Sequence, residues 1–205
     1  MTAAALFTLW LVHLAAVASP GPAFAVALRL AATEGARASV IYALGVGLGG
    51  AAWALAALSG LSLLFHLLPW TMLALKIAGG LFLIWVGVQG WRHAHDPLPE
   101  AATAGLPRSA GATLKLALLT QIGNPKTAVF FGAVFAALVP AEASLPLMAG
   151  LLVLVFLTES LWYTAIGLVF SRGPVRRLYV RAKTALDRLF GTAMIALGLR
   201  LAVQP

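Results

Sequence analysis

Ser19-Pro20-Gly21-Pro22 and Asn124-Pro125-Lys126-Thr127 each interrupt a long apolar run, about one hundred residues apart in a chain of 205. A proline inside a helix removes a backbone donor and leaves the carbonyl four residues earlier without its partner. Hydrocarbon holds no water to repair that loss, so such a break persists only where protein or a wet cavity covers it. Each run therefore reads as two half-helices meeting near mid-membrane. Discontinuous helices of this kind surround the binding sites of transporters.

Composition points to the same solvent. Hydrophobic residues make up 61% of the chain and charged ones 10%, and the mean hydropathy is +0.96. A soluble domain is about half apolar and about a quarter charged, so this chain has too little polar surface to coat a globule in water. It contains no cysteine, which excludes a disulfide frame, a thiolate metal site and a thiol redox relay. The net charge of +8 would suit nucleic acid, but neither a soluble fold nor a recognisable motif accompanies it. Most basic residues instead lie in short segments between apolar runs, beside the positions of anionic lipid heads.

A bilayer is crossed by an apolar run of about 20 residues. Six runs qualify, at 4–28, 38–64, 70–91, 112–139, 144–170 and 186–203. The expected fold is thus an all-α integral membrane protein of six transmembrane helices, a single domain over 1–205. Trp70 and Trp91 bracket the third run, where an aromatic belt belongs. Ala16-Val17-Ala18 resembles a signal-peptidase site, but the first basic residue is Arg29 and the apolar run continues past Ala18, so the run reads as a span.

Six spans place loops alternately on two sides. Connections 1–2, 3–4 and 5–6 carry eleven of the fourteen basic residues: Arg29 and Arg37, then Arg92, Arg108 and Lys115, then Arg172, Arg176, Arg177, Arg181, Lys183 and Arg188. The positive-inside rule puts these loops in the cytoplasm and both termini outside.

The segment 93–111, with Pro97, Pro99, Gly105 and Pro107, divides the chain into halves of about 1–92 and 112–205. Ser19-Pro20 aligns with Asn124-Pro125, Trp53 with Trp162, Gly50 with Glu159, and Gly80 and Gly87 with Gly191 and Gly198. The offsets rise in order, 105, 109 and 111, as duplication with small insertions gives. Because each half has an odd number of spans, the second is inserted upside down, a plan that sets the site at the repeat interface. The competing explanation is that segments rich in Ala, Leu and Gly align easily.

The breaks supply chemistry. Ser19 and Asn124 are favoured helix N-caps, and Pro20, Pro22 and Pro125 suit a first helical position. Free N–H groups of Ala23 and Phe24, and of Lys126 and Thr127, would favour an anion such as a carboxylate. Gly21 lets a ligand approach the backbone, and the stranded carbonyls of Ala16, Ala18 and Gln121 suit an ammonium or a cation. The alternative is ordinary proline kinking. Lys126 and Glu159 are the ionisable groups nearest mid-membrane, where charges normally face a cavity or each other. Glu159 is expected to carry the coupling proton, with Lys126 its counter-charge or a carboxylate contact; a purely structural buried pair is the alternative.

His13, Gln121, Thr158, Ser160 and Tyr163 are weaker candidates for the cavity lining, since a lone polar residue on a span more often satisfies a neighbouring helix. His93 and His95 lack a third metal ligand and read as solvated loop. Neither a metal nor a cofactor is expected. Gly45, Gly49 and Gly50 supply small-residue packing, which serves a bundle interior or a homodimer face alike.

With these residues in view, the chain resembles the LysE/RhtB family of bacterial exporters along nearly its whole length. The likeness rests on Ser19-Pro20-Gly21-Pro22, Gly35 and Arg37, Gly45-x-x-x-Gly49, Asn124-Pro125-Lys126-Thr127 and the closing Gly191–Gly198 segment. The resemblance implies a six-helix inner-membrane exporter of amino acids or their derivatives, driven by the proton motive force. Its function-linked motifs fall on Pro20, Gly21, Pro22, Asn124, Pro125 and Lys126. Family members often carry an aspartate after the second glycine of the span-2 motif, where this chain has Gly50. One fewer buried carboxylate suits a neutral rather than a dibasic substrate.

The expected function is therefore proton-driven export of a neutral amino acid by alternating access. Metal-cation efflux is the nearest alternative, weakened by the absence of cysteine and of a His-rich cluster. A non-transporting scaffold subunit is another. An intramembrane enzyme would need a nucleophile and base, or a metal triad, at one depth, and the spans offer none.

Overall fold

The computed structural model describes residues 1–19, 21–67, 70–96, 109–135, 138–140, 143–170 and 173–203. Those residues are almost wholly helical, with no strand among them. Pro20, most of the linker at 93–111 and Arg172 lie outside them, as do the side chains of Trp70 and Lys76.

The first apolar run forms α1 (Ala3–Ala18) and α2 (Pro22–Thr33), bent by 60° from each other. Thr2 caps α1 through its hydroxyl, which accepts the Ala5 N–H at 3.2 Å. Ser19 turns to extended backbone and ends it. Pro22 then opens α2 at the one helical position where a missing N–H costs nothing. Gly35 links α2 to α3 (Gly35–Leu67) with φ +77°, a left-handed conformation that glycine adopts freely.

The remaining helices are α4 (Trp70–Arg92), α5 (Ala110–Ile122), α6 (Pro125–Phe130), α7 (Leu145–Phe170) and α8 (Gly173–Val203). A π turn at Phe131–Phe135 continues α6. The run expected at 112–139 is thus broken at Gly123–Asn124 and wound differently beyond it. The last helix starts at Gly173 rather than near 186, so the basic stretch read as a connection is itself helical. Its only proline, Pro174, falls in the first turn, where it breaks no hydrogen bond.

Among the described residues, Gly35–Gly60 and Leu145–Phe170 are long and apolar enough to cross a membrane, and α1 with α2 passes the same test as a bent pair. Their outward faces are apolar too. Phe7, Leu48, Leu55 and Leu161 are exposed, an all-round hydrophobicity that belongs to helices in lipid.

Helix pairs cross on small residues. In α3 against α7, Ser39 lies at Gly167, Gly47 at Phe156 and Ser160, and Gly50 at Glu159. The pair therefore runs antiparallel. α4 and α8 do the same, Gly87 meeting Gly191 and Gly80 meeting Gly198. A Cβ on Gly191 would lie 2.7 Å from the Gly87 carbonyl oxygen, and one on Gly198 would lie 2.5 Å from that of Gly80. Backbone touches backbone there, the close approach that small residues permit in membranes.

Two apolar clusters stack along the helices. One gathers Leu9, Val12, Ala54, Leu58, Phe131, Leu151 and Val155; the other Phe24, Leu30, Tyr42, Val46, Tyr163 and Phe170. Following α7, Leu151 and Val155 belong to the first cluster, Tyr163 and Phe170 to the second, and Glu159 and Ser160 stand between. Along α1 and α2 the same change falls near Ser19, and along α3 at Gly50. A thin polar layer thus separates the two cores.

Gly191→Ala should cost about 1–3 kcal/mol, because the new methyl has no room to relax against a carbonyl. Its Tm in detergent should fall by several degrees. Gly150→Ala, in α7 with nothing within 4 Å of the added Cβ, should hold or raise Tm, since it removes a helical glycine.

Candidate functional site

The two breaks come together at the polar layer. Lys126, in the first turn of α6, reaches across to the first break. Its Nζ donates to the carbonyl of Ala16 at 3.0 Å and to that of Ser19 at 2.7 Å. Ala16 O is one of the acceptors expected from the proline break, and it is satisfied by the charged side chain of the other break.

Asn124 caps α6, its Oδ1 accepting the Lys126 N–H at 3.1 Å. That bond uses one of the N–H groups expected to be free. Ser19 does not cap α2. It closes α1 instead, and the N-cap of α2 is Gly21, which has no side chain to offer. The chain leaves α1 one residue too early for a Ser19 hydroxyl to serve the helix that starts at Pro22. The expected acceptor Gln121 O is engaged as well, receiving the Trp53 indole N–H at 3.3 Å and the Asn124 N–H at 3.3 Å.

Glu159 is buried, and its Oε2 accepts from Gln121 Nε2 at 2.8 Å. His13 Nε2 lies 3.9 Å from Glu159 Oε1. The imidazole packs beside Phe130 and Phe131, with ring centroids at 5.4 and 5.8 Å, and neither ring nitrogen has a hydrogen-bond partner. Gly50 faces the Glu159 carboxylate so closely that a Cβ there would collide with it. The absence of a side chain at 50 therefore makes the space that the acid fills. Lys126 and Glu159 each hold partners of their own, carbonyls for the one and the Gln121 amide for the other.

Two spaces meet at this point. A cavity of about 490 Å³ is lined by Ser19, Gly21, Pro22, Asn124, Pro125 and Lys126 at the breaks. Phe82, Trp85, Val86 and Val129 form its apolar wall, and Gln89, His93, Asp96, Lys183 and Asp187 continue it. A smaller pocket of about 30 Å³ is bounded by His13, Gln121, Thr127, Glu159 and Tyr163, with Asn124 and Lys126 shared between the two. Of the expected site residues, Pro20 is outside the described residues, Thr158 and Ser160 line neither space, and the others line one or the other.

Tyr42 and the Lys183–Asp187 pair at the far end of the cavity were not singled out in the sequence, and His93, read there as solvated loop, lines the same end. Tyr42 is fully buried, stands edge-on to Tyr163 at 6.4 Å and donates to the Ala23 carbonyl at 3.0 Å, fixing α3 to the start of α2. Lys183 and Asp187 form a buried pair at 2.7 Å, and Lys183 also donates to the carbonyls of His93 and Ala94 at 3.2 and 3.4 Å. The signal was available: Asp187 is a lone acid inside a basic stretch, four residues from a lysine. Beside this pair, His95 Nε2 meets an Arg188 guanidinium nitrogen at 2.8 Å.

Comparison with known proteins agrees on one lineage. The family model described as LysE type translocator matches residues 14–205. The threonine efflux protein of Salmonella typhi is 31% identical over 201 residues, covering 97% of each chain. That of Escherichia coli K12 is 30% identical over 201 residues, 96% of this chain and 97% of the relative. A chemotactic transduction protein of Pseudomonas aeruginosa is 38% identical over 124 residues, 58% of each chain. No solved structure matches. Matched by the family over residues 14–205 and aligned with relatives over nearly their whole length, this chain belongs to the LysE type translocator family.

Proposed function

We propose that the protein is a secondary active exporter of neutral amino acids or their derivatives in the bacterial inner membrane, driven by the proton motive force through alternating access. The observation that carries this reading is the Lys126 ammonium seated on Ala16 O and Ser19 O at the wall of the large cavity. Carbonyl acceptors and an ammonium, side by side, are what the two ends of a zwitterion require. Phe82, Trp85, Val86 and Val129 offer no charge to a substrate side chain, which suits a neutral one. The threonine efflux relatives export a substrate of that class by name.

Two inverted three-helix repeats, about 1–92 and 112–205, are proposed to rock about this site. Exchanging the repeats by the offsets 109 and 111 turns the Gly87–Gly191 contact into Gly198–Gly80 and returns Gly50–Glu159 to itself, as an internal two-fold axis requires. The bias of basic residues sets connections 1–2, 3–4 and 5–6 in the cytoplasm and the termini outside. Glu159 is the proposed proton carrier. It is an acid held between the Gln121 amide and the His13 ring, one wall away from the cavity.

The direct test is efflux from proteoliposomes loaded with an amino-acid mixture. Neutral amino acids should leave faster when the outside is acidified, while lysine should not. Equal release with and without the gradient, or preferential release of lysine, would refute the coupling or the specificity respectively. Glu159→Gln preserves the size of the side chain and its hydrogen-bonding capacity. Its release should lose all response to the gradient, and a response equal to the parent protein's would remove Glu159 as the carrier.

A further inference from the structure

Lys126 stands on a boundary. It lines both the cavity of about 490 Å³ and the pocket of about 30 Å³ that holds Glu159 and His13. Its ammonium carries three protons and no acceptor, and two of those protons are engaged by the Ala16 and Ser19 carbonyls. The α-ammonium of an amino acid brings the same donor set at the same charge. Gly21 completes the seat: a Cβ there would lie 3.3 Å from Nζ and 3.5 Å from Cε, so the glycine leaves room for an ammonium and little besides. The side chain that fills the seat ends a flexible four-carbon stem and can leave it without moving α6.

We propose that Lys126 is a tethered placeholder: in the empty site its ammonium occupies the seat of the ligand's ammonium, and ligand entry moves it onto the ligand's carboxylate. This rests on the reading of the two breaks as an amino-acid site. A zwitterion supplies both halves of the exchange. Its ammonium replaces Lys126 on the two carbonyls, and its carboxylate gives the displaced Nζ a charge-assisted partner. An amine without a carboxylate supplies only the first half, so the displaced ammonium gains no ligand carboxylate in exchange for the two carbonyls it leaves. The placeholder thus selects zwitterions over simple amines. It also keeps the seat satisfied when no ligand is present, so that an empty carrier never holds bare carbonyls in the membrane.

The test is thermal unfolding of the purified full-length protein in detergent with methylammonium chloride, against sodium chloride at equal ionic strength. Methylammonium should leave the wild type unmoved. It should raise the Tm of Lys126→Met by about 3 °C at about ten times its half-saturating concentration, because the vacated carbonyls then have no resident donor. Lys126→Gln, whose side chain is uncharged and one bond shorter, should show a gain no larger than that of the Met variant and serves if the Met variant does not fold. A wild-type shift as large as that of the variants, or no shift in a folded variant, overturns the placeholder. Amino-acid release from wild-type vesicles judges the exporter reading separately, so either can fail while the other stands.

Discussion

A peptide carbonyl in hydrocarbon must find a donor, and the helix break after Ala18 leaves acceptors that α1 cannot supply with its own backbone. Lys126 provides the donor from the opposite half of the chain, at 3.0 and 2.7 Å. Much else follows from that single reach. It draws α6 against the end of α1, sets Asn124 and Gln121 beside it, and divides the interior into a large cavity and a small acid-containing pocket. A continuous first helix would satisfy its own carbonyls, and Lys126 would then be a charge without an address.

Packing serves the same layer. Glycines at 80, 87, 191 and 198 let α4 and α8 approach backbone to backbone. Glycine at 50 lets the Glu159 carboxylate stand where a side chain of α3 would otherwise be. While the buried Lys183–Asp187 pair lies apart, the polar residues at the breaks sit where each helix passes from one apolar cluster to the other, so they share one plane. There they find one another: Gln121 with Glu159, and Lys126 with the first break. His13 and Ser160 are exceptions, a buried imidazole with Glu159 at 3.9 Å and a buried hydroxyl, neither holding a hydrogen-bond partner.

Much of this was legible in the residues because membranes punish irregularity. Prolines at 20, 22 and 125 could not sit in unbroken spans, so the breaks were readable, and with them Gly21, Asn124 and Lys126. Glu159 and Lys126 stood out because mid-span charge is rare. What stayed hidden depends on chain direction and on contacts between distant helices. Whether Ser19 ends α1 or begins α2 turns on one residue of backbone, which composition does not fix. Lys126 reads as a counter-charge to Glu159 or a carboxylate contact, and the hydrogen-bond partners that each holds, two carbonyls and the Gln121 amide, depend on contacts between distant helices. The basic stretch before 186 looked like a loop because charge was read as exposure. In the fold it is helix, and its Lys183 is buried against Asp187 one turn further on.

The central claim is that the two breaks meet over a water-accessible cavity, and a chain without cysteine allows a clean measurement of it. Single cysteines at Val129 and Phe82 in the cavity wall should react with a water-soluble thiol reagent, more slowly when neutral amino acids are present. A cysteine at Leu119, on the outer face of α5, should not react. Unreactive thiols at both cavity positions in folded protein, or labelling that amino acids leave unchanged, would contradict the account.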